Sequence, residues 1–281
     1  MNLVRSINRF ITLFHDTFRQ FGRGRIWLVL GVFFLLNWLV LYAHYNALLP
    51  VFYGPIKLWA GLFGDKVATG FFHYPGHFLV LPELFDYAKL VLGLLFEGAV
   101  LGLVALVFFD SYLQVKKPES SPFKLVLSSW FQLMLGWLLL NGLMLAVILV
   151  LPQYLVDWLW GSPRRIAVFE FAIVPAIFTL LLSMFYFVIP VIALYGDNVL
   201  EGLKRSLTIF WRNPLTCVFL ALVVVASQTI VSAAAGRPVT IIEKFRPELV
   251  YWVLLAGLGF NLIASFFWMG TAVRFLIEEE E

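Results

Sequence analysis

Six long apolar runs, separated by short polar stretches, restrict this chain more than any other feature. They cover residues 26–49, 88–113, 125–151, 166–195, 215–235 and 249–273. Each meets the roughly 20 residues that a helix needs to cross a hydrocarbon core about 30 Å thick. Only 13% of the residues are charged, while 62% are hydrophobic. A soluble domain carries about 25% charged residues, so this chain has too little polar surface to wet a globule. The pattern predicts an all-α, polytopic membrane protein with six transmembrane helices and amphipathic cytoplasmic interfacial helices. Residues 1–25 form the first interfacial segment, 26–273 the six-span domain and 274–281 an acidic tail.

Composition excludes some partners. A net charge of +3 gives no reason to invoke nucleic acid. Cys217 is the single cysteine, so no intrachain disulfide can form. The first run lies behind a long basic lead-in and is too long for a signal-peptide core, so a cleaved signal is not expected.

Orientation follows from Lys and Arg. Arg5, Arg9, Arg19, Arg23, Arg25, Lys116, Lys117, Lys124, Lys204, Arg205, Arg212 and Arg274 fall on the side that holds both termini. Lys57, Lys66, Lys89, Arg164, Arg165, Arg237, Lys244 and Arg246 fall on the other. The excess before the first span dominates, and it predicts cytoplasmic termini.

Two extramembrane segments have helical periodicity. Leu3, Ile7, Phe10, Ile11, Phe14, Phe18 and Phe21 recur on one face of the first, with Arg5, Arg9, Thr12, Asp16 and Arg19 on the other. In the second, 198–212, Asn198 and Glu201 have capping-box spacing, and Asn213-Pro214 ends the helix. Lys204, Arg205 and Arg212 there, with Arg5 and Arg9, are expected to contact lipid headgroups, at about 1 kcal/mol of attraction per cation. A solvated topology signal would carry the same residues. Segment 50–87 is expected as an external loop rich in aromatics, an interfacial lid or a packing layer over the helix ends.

The stretch Gly196-Asp197-Asn198-Val199-Leu200-Glu201-Gly202-Leu203-Lys204-Arg205-Ser206-Leu207, followed by Trp211-Arg212-Asn213-Pro214, resembles a segment of bacterial six-span membrane proteins of the YciC-like type. It is also similar to the membrane domain fused to some glycerophosphodiester phosphodiesterases. Leu203-Lys204-Arg205-Ser206 matches the core of that motif, and Gly202 stands where the family often has alanine. The resemblance implies an inner-membrane protein near lipid or envelope homeostasis. It implies no catalytic residues.

Within the spans, Glu97 is the sharpest candidate, because an intramembrane acid costs on the order of 2.5–3.5 kcal/mol on insertion scales. It is expected inside the bundle, bonded to Asn141, Gln132 or Asn261, or serving as a proton or substrate group. Asn37, Asn141, Gln228 and Asn261 are expected interhelical hydrogen-bond partners. Glu170 is expected to pair locally with Arg164 and Arg165 or to snorkel to the interface, and Asp110 to be a solvated helix-end acid. Gly98 and Gly102 read as close helix packing. Pro175 and Pro190 predict irregularity in the fourth span. His73 and His77 are four apart, but Pro75-Gly76 between them argues against a helical metal pair. His44 reads as an interfacial hydrogen-bonding residue.

No catalytic constellation, metal set or cofactor motif stands out. The preferred reading is a non-catalytic or accessory integral membrane protein that binds membrane lipids or serves envelope homeostasis. A membrane-protein partner or a second copy of the chain is compatible with it. The alternatives are a small permease using Glu97 and a membrane-embedded lipid enzyme.

Overall fold

A computed structural model describes residues 3–113, 121–159 and 162–280. Among these residues there is no strand. Six helices are long and apolar enough to cross a membrane: Gly24–Tyr45, Gly76–Tyr112, Trp130–Tyr154, Pro163–Tyr195, Pro214–Ala233 and Leu249–Glu280. The protein is an all-α polytopic membrane protein. Lys116 and Lys117, and residues 1–2 and 281 of the terminal segments, lie outside the described residues.

Two span boundaries differ most from the sequence expectation. The second span starts at Gly76, not at 88, because Pro75 marks the helix start and the interior Pro82 is accommodated. Segment 50–87 is therefore not a loop. It holds helices Pro50–Gly61 and Asp65–Phe71 and the first turns of that span. The sixth span runs on to Glu280, so residues 274–280 continue a helix rather than form a separate tail.

The chain forms two compact units. One comprises residues 31–93 and 230–263. Its core joins Ile56, Ala60, Phe71, Phe78, Leu81, Leu84 and Phe85 to Leu41 of the first span and to Val250, Tyr251, Leu254 and Leu258 of the sixth. The aromatic segment thus packs as core within this unit. Trp38 Nε1 donates to Tyr251 Oη at 3.1 Å, and Trp59 Nε1 to the Leu84 carbonyl at 3.3 Å.

The other unit comprises residues 1–30, 94–229 and 264–281. Close approach here depends on glycine. A Cβ on Gly98 would overlap the Leu133 backbone carbonyl, and one on Gly102 would lie 2.9 Å from Leu133 Cδ1. The GxxxG pair therefore packs spans within the chain. Gly202 sits where a Cβ would come 3.0 Å from Ile192 Cγ1, so the smaller residue lets helix Val199–Arg212 approach the fourth span.

The fourth span breaks where its prolines require it. A π-helical turn, Phe169–Ile173, precedes Pro175, and the helix interrupts at Tyr186-Phe187 ahead of Pro190. Pro190 has no N–H for the Tyr186 carbonyl four residues back. Trp268 Nε1 donates to that carbonyl instead, at 3.0 Å. Ser206 Oγ bridges the same break, accepting from Phe187 N at 3.3 Å and donating to the Met184 carbonyl at 2.8 Å.

Candidate functional site

The N-terminal helix Leu3–Arg19 shows the apolar side chains Leu3, Val4, Ile7, Ile11 and Phe18 outward. Ser6, Leu13 and Thr17 are buried against the protein. An exposed apolar stripe suits a helix bathed by lipid, and it frees the polar face for protein contacts. Arg9 uses that face. Its Nε donates to Glu278 Oε2 at 3.3 Å, Nη1 to Asn213 Oδ1 at 3.0 Å and Nη2 to Glu279 Oε1 at 3.0 Å. The guanidinium also lies 3.9 Å over the Phe275 ring.

The network extends along the same helices. Arg274 Nε donates to Asp16 Oδ2 at 2.9 Å and approaches Glu278 at 3.6 Å. Asn213 Nδ2 donates to Glu279 at 3.3 Å. Tyr112 Oη donates to the Gly270 carbonyl at 3.2 Å and meets Thr17 Oγ1 at 3.1 Å. The acids of the sixth span thus bind the N-terminal helix and the start of the fifth span.

Beside Arg9 a polar cleft of about 660 Å³ opens between these three elements. Arg5, Arg9, Asn213, Glu278 and Glu279 line it, with the hydroxyl residues Ser6, Thr12 and Thr216. Ser6 is 1% exposed and Thr216 is fully buried, and neither hydroxyl has a hydrogen-bond partner. Buried polar groups are almost always bonded, so two orphans at one cleft need an explanation. Arg5 is exposed and has no ion-pair partner among the described residues.

The other expected headgroup contacts divide. Lys204 and Arg212 are exposed on helix Val199–Arg212, with Trp211 73% exposed beside them. Arg205 is engaged within the protein, 3.9 Å over the Tyr195 ring and 3.6 Å from Asp197. Tyr195 Oη in turn donates to Glu280. The capping box forms as the spacing predicts: Asn198 Oδ1 accepts from Glu201 N at 3.0 Å, and Glu201 accepts from Asn198 N at 3.4 Å.

Glu97 is half-buried at the end of a π-helical turn, Gly93–Glu97, which is followed directly by the tight Gly98 contact. The amides expected as its partners make the following contacts. Gln132 Oε1 accepts from Val199 N at 3.2 Å. Asn141 Nδ2 donates to Trp137 O in its own helix at 3.0 Å. Asn261 is half-buried in the unit built from 31–93 and 230–263. Asn37 also bonds its own helix, at Phe33 O and 2.9 Å, and Gln228 is exposed. The preceding-turn carbonyl is the nearest acceptor for a short amide in an apolar bundle.

Glu170 is exposed, and Arg165 donates to the Trp158 carbonyl at 3.1 Å rather than pairing with it. Asp110 is half-buried rather than fully solvated. His73 is exposed, while His77 is buried at the start of the second span. His77 Nδ1 donates to Phe71 O at 3.0 Å, and His44 Nδ1 to Val40 O at 2.8 Å, so each histidine is oriented by a backbone carbonyl.

An apolar lateral groove of about 700 Å³ runs beside the third span, between Leu135, Leu138, Leu139 and Leu143 on one side and Val199 and Leu200 on the other. Neither it nor the polar cleft is lined by Glu97.

These features define a class: a polytopic all-α membrane protein with a charged cleft at the foot of its spans. No family model matches the chain, and neither a curated protein nor a solved structure matches it.

Proposed function

We propose that this is an accessory, non-catalytic integral membrane protein that holds a lipid headgroup in the cleft formed by the N-terminal helix and the fifth and sixth spans. The observation that carries this reading is the pair of buried, unpartnered hydroxyls of Ser6 and Thr216 beside Arg5 and Arg9. Hydroxyls and guanidinium groups together are the donors a phosphate needs. The outward apolar stripe of the same helix would keep the cleft at headgroup depth. The basic bias before the first span supports a cytoplasmic-leaflet position for the cleft. The resemblance of 196–214 to YciC-like proteins accords with a bacterial inner-membrane location and a role in envelope homeostasis.

Native mass spectrometry of the purified protein tests the reading. Retained phospholipid that is lost on Thr216→Val is the expected result. Lipid-free protein, or retention indifferent to Thr216→Val and Ser6→Ala, would overturn it.

One observation favours a second reading. The π-helical turn ending at Glu97 is of a kind found often at functional sites, and a small permease would use such an acid. pH-dependent solute flux in proteoliposomes, abolished by Glu97→Gln in a folded protein, would establish that reading instead.

A further inference from the structure

The cleft carries charge of both signs. Arg5 and Arg9 face it with Glu278 and Glu279. A purely anionic headgroup would gain two guanidinium groups but would also meet two carboxylates. Repulsion from those carboxylates in a partly desolvated site would oppose much of that gain. A ligand with a phosphate at one end and a cation at the other matches all four charges.

The donor and acceptor inventory sharpens this. Arg9 commits Nε, Nη1 and Nη2 to Glu278, Asn213 and Glu279, which leaves two of its five N–H donors. These, with Arg5 and the hydroxyls of Ser6 and Thr216, are the donors of the lining. The carboxylates of Glu278 and Glu279 are its acceptor-only groups. They are partly exposed, with 21% and 28% of their side-chain surface accessible, and so remain open to a further donor. A primary ammonium supplies N–H donors there, whereas a trimethylammonium supplies none.

Resting on the lipid reading above, we infer that the cleft is selective for a phosphate carrying a primary amine, the headgroup chemistry of phosphatidylethanolamine. The Arg5, Ser6 and Thr216 side binds the phosphate, and the Glu278 and Glu279 side binds the ammonium. The same chemistry is present in free phosphoethanolamine, so the test separates the two sources.

The full chain is placed in phosphatidylcholine nanodiscs doped with equal amounts of phosphatidylethanolamine and phosphatidylglycerol, then released for native mass spectrometry. Preferential retention of phosphatidylethanolamine is expected. Thr216→Val should weaken that retention roughly tenfold, the worth of one hydrogen bond to a charged group. Glu279→Gln should shift preference toward phosphatidylglycerol, because it removes repulsion from the anion. Arg5→Gln, at an exposed position that leaves the Arg9 network intact, should lower retention of both phospholipids while thermal unfolding stays that of the unsubstituted protein.

Equal or greater retention of phosphatidylglycerol by the unsubstituted protein, still lost on Thr216→Val, overturns the amine selectivity and leaves the lipid reading standing. No selective retention, together with no protection by soluble phosphoethanolamine, overturns both. Protection from thermal unfolding by soluble phosphoethanolamine, without lipid retention, keeps the phosphate-and-amine chemistry and overturns the lipid reading.

Discussion

Arg9 Nη2 lies 3.0 Å from Glu279 Oε1, across 270 positions of sequence. This contact closes the N-terminal helix onto the end of the sixth span. It shares Asn213, Glu278 and the Phe275 ring, so it is not a lone surface pair. A guanidinium fits it because its planar fork reaches three acceptors at once.

Arg9→Ala should destabilise the detergent-solubilised protein by about 1–3 kcal/mol, as removal of charged hydrogen bonds does. Arg9→Lys should recover only part, because one ammonium cannot span the three acceptors. Thermal unfolding in detergent reads this. Equal stability of Arg9→Ala and the unsubstituted protein would show that the helix is not held by this network.

Gly98→Leu and Gly270→Leu should prevent stable folding. A Cβ on Gly98 overlaps the Leu133 carbonyl, and one on Gly270 overlaps Thr17 and lies 2.9 Å from Phe108. The Leu133 backbone cannot move aside, and Thr17 and Phe108 are side chains held in the packed interior. Gly142→Leu is the control, since nothing lies within 4 Å of its Cβ position. Membrane accumulation and monodispersity by fluorescence-detected chromatography distinguish the three.

Trp268→Phe should cost about 1–3 kcal/mol, because it leaves the Tyr186 carbonyl unpaired in a buried position. Pairing it with Pro190→Ala should recover part of the loss, since alanine can supply the missing N–H. A cycle of thermal midpoints measures the coupling, and strict additivity of the two substitutions would contradict this account of the break.

Glu97→Gln keeps size and hydrogen bonding but removes titration. Under the accessory reading it should leave folding and lipid retention within twofold of the unsubstituted protein, since the polar cleft does not include Glu97. The measurement is native mass spectrometry alongside thermal unfolding.

Both termini are expected in the cytoplasm. Arg23→Cys and Arg25→Cys, introduced with Cys217→Ser, should resist a membrane-impermeant thiol reagent in intact cells and react after permeabilisation. Both positions are exposed on the protein, so resistance reports sidedness and not burial. Labelling in intact cells would reverse the orientation and move the cleft to the outer leaflet.

Much of the architecture was legible in the chain because transfer into hydrocarbon is a local, additive property. The apolar runs specified six spans, Asn198 and Glu201 specified a helix start, and Asn213-Pro214 specified its end. The proline pair in the fourth span specified irregularity there, although not the indole that repairs it. The second-span start was misplaced at 88 because the aromatics, glycines and prolines of 50–87 read as a loop, whereas tertiary burial of Phe78, Leu81, Leu84 and Phe85 carries the helix through.

The candidate site was not legible, because it depends on which face of each helix meets which neighbour. Arg9 and Glu279 read as a headgroup contact and a tail, and Ser6 and Thr216 gave no signal at all. Charge in a sequence marks which residues avoid hydrocarbon. Only the packing of the first helix on the fifth and sixth spans decides that some of those charges satisfy one another, and that two hydroxyls are left buried beside them.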